Sequence, residues 1–182
     1  MDDDRINNDT SNEAIIVVDI VHDFVDGKFG SERALKTASD IIEFLKRVKR
    51  REVILTADTH VRDDPEFSIW GEHCIEGTWG SQLLDALIEF GTRIIRKRHY
   101  DAFFDSDLDG YLRTRNIQSL IIFGISTDIC VRHTVAGAFF RNYHTSLIED
   151  LCSSIDPERH EEAVSEIRRL YGTRILKKED VK

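Results

Sequence analysis

Short runs of Val, Ile and Leu recur along the chain, and stretches of helical length separate most of them. Six runs have the length and composition of buried strands, at residues 14–20, 53–57, 93–96, 119–124, 145–149 and 173–176. Continuous apolar strands that alternate with helices are typical of a parallel sheet covered on both faces. The pattern therefore predicts an α/β fold.

The stretches between these runs supply the predicted helices, at residues 32–50, 81–89, 107–116, 129–142 and 157–171. In the first of them the apolar residues recur at helical spacing, which places one face on the sheet. No repeat, low-complexity tract or linker divides the chain. We therefore predict one domain over residues 14–182, preceded by a flexible tail at residues 1–13.

The charge balance restricts the classes of partner. The chain has 25 Lys and Arg against 34 Asp and Glu, a net charge of -9, which argues against nucleic acid or an anionic membrane surface. No apolar run approaches the roughly 20 residues that span a bilayer, and the N-terminus is polar and acidic, unlike a signal peptide. These features predict a cytoplasmic protein that binds a small molecule.

In a parallel α/β fold the ligand lies beyond the carboxyl ends of the strands. The polar residues that follow the predicted strands are therefore the first candidates for chemistry: Asp19, Asp58, His60, Lys97, the segment Ser126 to Cys130, and Asp150. This set contains acids, a cation and a thiol.

Cys130 is the candidate nucleophile. It follows an apolar strand and a tight turn, in the first turn of a predicted helix. A helix N-terminus favours the reactive thiolate and offers backbone N–H groups that can hold a negatively charged oxygen. From its position alone, Cys130 could equally be a buried cysteine that only packs.

Three segments together resemble the Asp, Lys, Cys triad of the isochorismatase-like cysteine hydrolases. They are Asp19 in VVDIVHDF, Lys97 in KRHYDAF, and Cys130 in GISTDICV. The resemblance extends over nearly the whole chain and implies a single-domain, Rossmann-like three-layer fold with a six-stranded parallel sheet. Members that act on isochorismate lack the cysteine, so its presence here favours a covalent amidase.

The resemblance also implies roles for the residues around the thiol. Asp19 would take the proton of Cys130, and Lys97 would stabilise the resulting charges. The family has a cis peptide bond in the turn before the cysteine, which corresponds to Ile125–Ser126 here. That turn would aim the backbone N–H groups of Ser126 and Cys130 at one point, as an oxyanion hole.

A second polar cluster is Asp58-Thr59-His60, followed after a short loop by Trp70-Gly71-Glu72-His73. Two imidazoles and a carboxylate suit Zn²⁺, Fe²⁺ or Mn²⁺, although the same residues could form a solvated polar loop. Nicotinamidases carry this D-x-H and a later His three residues after an aromatic residue. The resemblance therefore implies a divalent metal, most simply zinc, on Asp58, His60 and His73, with Glu66 matching a further ligand of some members.

The same resemblance makes Phe24 and Trp70 the aromatic walls of a pocket for a flat ring. Either residue could instead pack in the core, as aromatic residues commonly do. His133 is interpreted as an ordinary helix residue, and Cys74 and Cys152 as thiols with no base marked beside them. Family members are commonly dimers or tetramers, which implies a homo-oligomer.

The resemblance therefore implies a nicotinamidase (pyrazinamidase)-like cysteine amidohydrolase that converts nicotinamide to nicotinate and ammonia. Three alternatives stay open. A related amidase could act on a carbamoyl or ureido compound, a metal-centred hydrolase could use bound water as nucleophile, and a catalytically silent binding module could share the fold.

Overall fold

A computed structural model describes residues 12–48 and 51–181. Its six strands are β1 (Glu13–Val18), β2 (Glu52–Asp58), β3 (Arg93–Lys97), β4 (Ser119–Ile125), β5 (His144–Ser153) and β6 (Arg174–Leu176). Its helices are α1 (His22–Val25), α2 (Glu32–Arg47), α3 (Phe67–Trp70), α4 (Asp85–Ile88), α5 (Leu108–Thr114), α6 (Arg132–Phe140) and α7 (Pro157–Tyr171). The predicted tail at residues 1–13 lies outside the described residues except for Asn12 and for Glu13, which opens β1.

The strands form one parallel sheet in the order β3-β2-β1-β4-β5-β6. The order reverses between β1 and β4, so right-handed connections place helices on both faces of the sheet. The predicted fold class is confirmed. The reversal also leaves a crevice between the carboxyl ends of β1 and β4, where doubly wound folds bind their ligands.

The core lies between the sheet and its helices. The apolar residues of β1 and β4 are almost completely buried, as expected for central strands covered on both faces. Ser31 caps the N-terminus of helix α2, where its side chain accepts a hydrogen bond from Ala34 N at 3.1 Å. The helix ends at Arg47, earlier than predicted, because the backbone of Val48 is extended; the predicted end at residue 50 lies outside the described residues.

Close approach of β1 and β4 requires a glycine at position 124. Gly124 pairs with Val18 and has a φ of 139°. A Cβ atom on this residue would lie 2.1 Å from the carbonyl oxygen of Val18. Only glycine therefore allows the two strands to pair at the edge of the crevice.

The helix predicted at residues 81–89 is wrong for most of its length. A 3₁₀ turn at Trp79–Ser81 leads into an extended segment, and only Asp85–Ile88 is helical. The extended segment bonds to the chain after β1: His22 N donates to Gln82 O at 3.0 Å and Leu84 N donates to Ile20 O at 3.2 Å. These long-range bonds replace those of a helix.

Two further differences affect predicted site residues. Strand β5 extends to Ser153, so Asp150 lies inside a strand rather than after it, where its Oδ1 accepts a hydrogen bond from Lys178 N at 2.9 Å. The first residues of the helix predicted at 129–142 belong to a π-helical turn, Thr127–Val131, and α6 itself covers Arg132–Phe140. No described helix has the length and apolar character needed to cross a bilayer.

Candidate active site

Asp19 directly follows β1 and is completely buried. Its backbone has a φ of 51°, and its N–H donates to the hydroxyl oxygen of Thr56 at 3.2 Å. The Thr56 hydroxyl in turn donates to Asp19 Oδ1 at 2.6 Å. Burial raises the pKa of Asp19 above its ordinary value, while the charge of Lys97 and the bond from Thr56 oppose that rise.

Lys97, the last residue of β3, connects the acidic residues to the thiol. Its Nζ atom lies 2.7 Å from Asp19 Oδ2 and 3.0 Å from Asp58 Oδ1, and it donates to Cys130 Sγ at 3.6 Å. Burial alone would lower the pKa of Lys97, but the charges of Asp19 and Asp58 raise it well above its ordinary value. The ammonium therefore stays charged between two carboxyl groups.

Cys130 lies in the π-helical turn after β4, with a cis peptide bond at Ile125–Ser126 upstream. Burial raises the pKa of its thiol well above the ordinary value, and the charges of Asp19 and Asp58 add to the rise, while Lys97 opposes it. The thiolate expected from the position at a helix start is thus not the resting state. A thiol that keeps its proton needs a base before it can act as a nucleophile. The buried carboxyl group of Asp19 is the neighbouring group that can accept that proton.

Asp58, His60 and His73 come together in one buried cluster. One potential ligand atom from each lies within 4.8 Å of the other two. His60 Nε2 is 2.9 Å from Asp58 Oδ2, and His73 Nε2 is 3.7 Å from the same oxygen. The three side chains are at most 4% exposed, so this cluster is not a solvated polar loop.

Glu66 faces the same point. Its Oε1 atom lies 3.8 Å from His73 Nε2 and 4.0 Å from His60 Nε2. Burial, with the neighbouring charge of Asp58, raises the pKa of Glu66 to about 7. The four side chains thus present two imidazole nitrogens and two carboxylate oxygens, a donor set that fits a divalent transition metal.

The outer nitrogen of each imidazole faces an oxygen atom. His73 Nδ1 donates a hydrogen bond to Gly71 O at 2.8 Å, and His60 Nδ1 lies 3.1 Å from Asp64 Oδ2, an ion-pair contact without hydrogen-bond geometry. Metal-binding histidines commonly use the second nitrogen in this way, so that the first keeps its lone pair for the metal. The arrangement around the ring edges therefore also fits a metal site.

Asp58 belongs to two clusters: the catalytic cluster of Asp19, Lys97 and Cys130, and the metal-site cluster of His60, His73 and Glu66. One of its oxygens faces Lys97 and the other faces His60. Burial alone would raise its pKa, but the charge of Lys97 and the bond from His60 lower it to about 2. For His60 the directions are reversed. Burial alone would lower its pKa, but the contacts and charges of Asp58, Asp64 and Glu66 raise it to about 9. The carboxyl groups therefore favour a positive charge at His60, and a bound metal ion would take the place of the proton on that imidazole.

A pocket opens between the two clusters. The predicted wall residues Phe24 and Trp70 both line it, together with Phe29, Ser31, Ala34, Asp58, Glu66, His73, Tyr100, Ile125, Ser126, Ile129, Cys130, Ser153, Ser154 and Ile155. Trp70 is 39% exposed, and its Nε1 atom donates to the hydroxyl of Tyr100 at 2.9 Å. Aromatic rings thus surround a space that reaches the thiol.

Several site residues were not identified from the sequence. Thr56 and Asp64 belong to the site through contacts with Asp19 and His60, and Phe29 and Tyr100 line the pocket. Strand alternation was an available signal for Thr56, since it lies two residues before Asp58 on the same side of β2.

The residues that the sequence analysis set aside lie outside the pocket lining. His133 Nδ1 donates to the carbonyl of Ile129 at 2.7 Å, one turn earlier. Cys74 and Cys152 are buried, and burial raises the pKa of the Cys152 thiol to about 12. Neither thiol reaches the pocket.

The isochorismatase domain model matches residues 13–180, and the chain therefore belongs to the isochorismatase family of hydrolases. It is similar to N-carbamoylsarcosine amidase from Thermoplasma acidophilum, with 31% identity, a TM-score of 0.84 and coverage of 94% of this chain and 99% of that one. Pyrazinamidase/nicotinamidase from Streptococcus mutans has 30% identity, a TM-score of 0.84 and coverage of 90% and 99%. Pyrazinamidase of Pyrococcus horikoshii, solved in complex with zinc, has 28% identity, a TM-score of 0.83 and coverage of 91% and 99%.

Proposed function

We propose that this protein is a nicotinamidase-type amidohydrolase that converts nicotinamide to nicotinate and ammonia through a thioester on Cys130. The observation that carries the proposal is the position of Lys97 Nζ, 2.7 Å from Asp19 Oδ2 and 3.6 Å from Cys130 Sγ. A buried acid, cation and thiol at these distances form a set suited to covalent amide hydrolysis.

The first half of the reaction forms the thioester. Asp19 takes the proton of Cys130, and the thiolate attacks the carboxamide carbon. The N–H groups of Ser126 and Cys130 hold the oxyanion of the tetrahedral intermediate. Asp19 then gives its proton to the departing nitrogen, the carbon–nitrogen bond breaks, and ammonia leaves.

The second half restores the enzyme. Asp19 takes a proton from a water molecule, which attacks the thioester carbon. The carbon–sulfur bond breaks, Asp19 returns the proton to the sulfur, and the product leaves as nicotinic acid, which loses its proton to solvent and becomes nicotinate. Throughout both halves the ammonium of Lys97 offsets negative charge on Asp19 and on sulfur.

Asp58, His60, His73 and Glu66 would hold the metal, with zinc proposed first and iron or manganese as alternatives. When bound, the metal would supply a Lewis acid for the pyridine nitrogen, which orients the ring and makes it more electron-poor. Phe24 and Trp70 would flank that ring.

The pocket favours a neutral aromatic amide over an N-carbamoyl amino acid. Of the described residues that line it, none is a lysine or arginine, while Asp58 and Glu66 are acidic. An N-carbamoyl amino acid carries a carboxylate that no lysine or arginine of the lining would pair with, so that it would have to compete for the proposed metal or be buried at a cost. Nicotinamide carries no such charge.

The test compares ammonia release from nicotinamide and from N-carbamoylsarcosine by the purified, zinc-loaded protein. We expect kcat/KM to be higher for nicotinamide by about 100-fold, equivalent to about 2.7 kcal/mol of discrimination. The similarity to N-carbamoylsarcosine amidase supports a carbamoyl substrate as the second candidate. Turnover of N-carbamoylsarcosine alone would establish that candidate and overturn the first.

The metal site has its own test. Asp58→Ala, His60→Ala and His73→Ala should each lower bound zinc, since the loss of one ligand leaves too few donors. Surface variant Glu162→Ala is the control and should keep the wild-type zinc content. Full zinc occupancy in all three ligand variants would exclude this site.

A metal-centred hydrolase predicts a different pattern of inactivation. If bound water were the nucleophile, Cys130→Ala would keep its activity, and chelation would abolish it. The proposed mechanism requires that Cys130→Ala abolish turnover even in the zinc-loaded protein.

A further inference from the structure

Three successive carbonyl groups, those of Trp70, Gly71 and Glu72, are all used as acceptors. Lys28 Nζ donates to Trp70 O at 2.8 Å and to Glu72 O at 2.9 Å. Between them, Gly71 O accepts the hydrogen bond from His73 Nδ1 at 2.8 Å. The ammonium of Lys28 thus holds the carbonyls on both sides of the one that orients a candidate metal ligand.

Gly71 lies directly against this ammonium. Its φ is 71°, and a Cβ atom on it would be 2.8 Å from Lys28 Nζ. Glycine therefore allows both the left-handed backbone and the close approach of the lysine. The backbone conformation of Gly71 directs its carbonyl oxygen toward His73. The same residue leaves the space that the Lys28 ammonium occupies.

Lys28 also contacts the aromatic wall. Its Nζ atom lies 5.0 Å from the ring centroid of Phe29, and the centroid of Phe29 lies 5.3 Å from that of His73. Phe29 also meets Trp70 edge-on at 6.5 Å. The Lys28 ammonium thus makes a cation–π contact with the pocket wall and hydrogen bonds with the loop that bears Trp70 and Glu72.

A second anchor holds the end of the loop. Asp23 Oδ2 accepts a hydrogen bond from Cys74 N at 2.7 Å, and Asp23 Oδ1 accepts one from Lys28 N at 3.3 Å. The segment that bears Phe24 and Phe29 is therefore hydrogen-bonded to the loop that bears Trp70 and His73 at two places, through Asp23 and through Lys28.

We propose that Lys28 is a positioning residue: its ammonium fixes the carbonyls of Trp70 and Glu72, and thereby orients the His73 ligand and the Trp70 wall together. This inference rests on the proposed metal site and pocket. Lysine at an exposed position ordinarily remains mobile and hydrated, and ordering it costs side-chain entropy. Two charge-assisted hydrogen bonds to residues more than 40 positions away offset that cost.

The test is the zinc affinity of Lys28→Met, measured by competition with a chromophoric chelator. Methionine keeps much of the apolar stem and removes the three donors. Lys36→Met is the matched control, because Lys36 is an exposed lysine whose ion pair, among the described residues, is with Asp40 on helix α2. Since Lys28 is exposed, neither substitution opens a cavity in the core.

We expect Lys28→Met to bind zinc about tenfold more weakly than Lys36→Met, the lower end of the range for partners that orient metal ligands. KM for nicotinamide should rise as well, because Trp70 is released, while kcat at saturating zinc and substrate should stay within about twofold. A purely structural role would lower thermal stability and leave zinc affinity and KM unchanged.

Equal zinc affinity in Lys28→Met and Lys36→Met would overturn this inference and leave the proposed function intact. A wild-type protein that binds no zinc would overturn the metal part of the proposed function and this inference with it. Zinc binding by wild type without turnover of nicotinamide would contradict the substrate alone, and the affinity comparison would still decide the role of Lys28.

Discussion

The ammonium of Lys97 balances the charges of the site at the level of single atoms. It is buried with Asp19 and Asp58. Its charge opposes the rise that burial causes in the pKa of Asp19 and of the Cys130 thiol, and it helps to lower the pKa of Asp58. Its removal would leave the buried carboxyl group of Asp19 without its cation and Asp58 with His60 alone. Groups of this kind cost several kcal/mol when their partner is lost.

Lys97→Met should therefore lower kcat by about 100-fold or more and also lower the free energy of unfolding by about 3–5 kcal/mol. With Lys97 gone, the pKa of Cys130 rises further, so the pH midpoint of alkylation by iodoacetamide should move upward. Lys97→Arg should not rescue turnover, because the planar guanidinium is larger than the compact ammonium. Wild-type alkylation and turnover in Lys97→Met would make Lys97 a structural residue only.

Thr56 decides which oxygen of Asp19 is available for proton transfer. Its hydroxyl donates to Oδ1 and accepts from the backbone N–H of the same residue, which leaves Oδ2 facing Lys97. The donor and acceptor of the hydroxyl are both used, so its orientation is fixed. Asp19 is thereby held with one oxygen toward the thiol side of the site.

Thr56→Val keeps the shape of the side chain and removes both hydrogen bonds, whereas Thr56→Ser retains them. We expect kcat to fall about tenfold in the valine variant, part of the 10²–10⁴ that general acid–base catalysis contributes. The Thr56 bond lowers the pKa of Asp19, so the acidic limb of the kcat/KM profile should move to higher pH in Thr56→Val. Equal profiles for the valine and serine variants would show that the hydroxyl does not act on Asp19.

At the scale of secondary structure, the pairing of β1 with β4 determines the position of both Asp19 and Cys130. Gly124 makes that pairing possible, since any side chain there would collide with Val18 O. Gly110, in helix α5, offers a contrast, because a Cβ atom there would meet nothing within 4 Å. The same substitution should therefore have opposite effects at the two positions.

Gly124→Ala should lower the free energy of unfolding by more than about 3 kcal/mol, or prevent folding, whereas Gly110→Ala should raise it by about 0.5–1 kcal/mol. Urea unfolding of both variants measures the difference. A Gly124→Ala protein as stable as Gly110→Ala would mean that β1 and β4 do not approach as closely as described.

Strands and strand-end residues could be predicted because they depend on local patterns. Each central strand is a continuous apolar run, and the carboxyl ends of parallel strands meet at one edge, which brings Asp19, Asp58 and Lys97 together. The helix predicted at residues 81–89 is wrong because its apolar residues serve an extended segment bonded to the chain after β1. Local periodicity does not reveal such pairing.

The supporting residues of the site depend on contacts between distant segments. Thr56 meets Asp19 across 37 positions, and Lys28 meets Trp70 across 42 positions. Strand alternation places Thr56 on the same side of β2 as Asp58 but does not reveal its bond to Asp19, and a lysine in a polar loop carries no local signal of its role. The resemblance to the family identified the residues that share its motifs, and only the fold revealed what holds them in place.

At the scale of the whole molecule, two clusters are joined by Asp58 at the edge of one sheet. The acid, cation and thiol come from β1, β3 and the turn after β4, and the potential metal ligands come from β2 and the loop that follows it. An amide placed between the clusters would have its ring toward the imidazoles and its carbonyl carbon toward the sulfur. The central claim is that this sulfur forms the covalent bond.

The most direct test is ammonia release from nicotinamide by Cys130→Ala, beside the wild type and a Cys74→Ala control with matched zinc content. Cys130→Ala removes the proposed nucleophile by deleting a single buried sulfur atom, so the variant should fold, bind zinc and show no turnover, while Cys74→Ala keeps its activity. Intact-mass measurement after a rapid acid quench should show an acyl adduct in the wild type only. A Cys130→Ala protein that retains about a tenth or more of wild-type turnover would contradict the covalent mechanism.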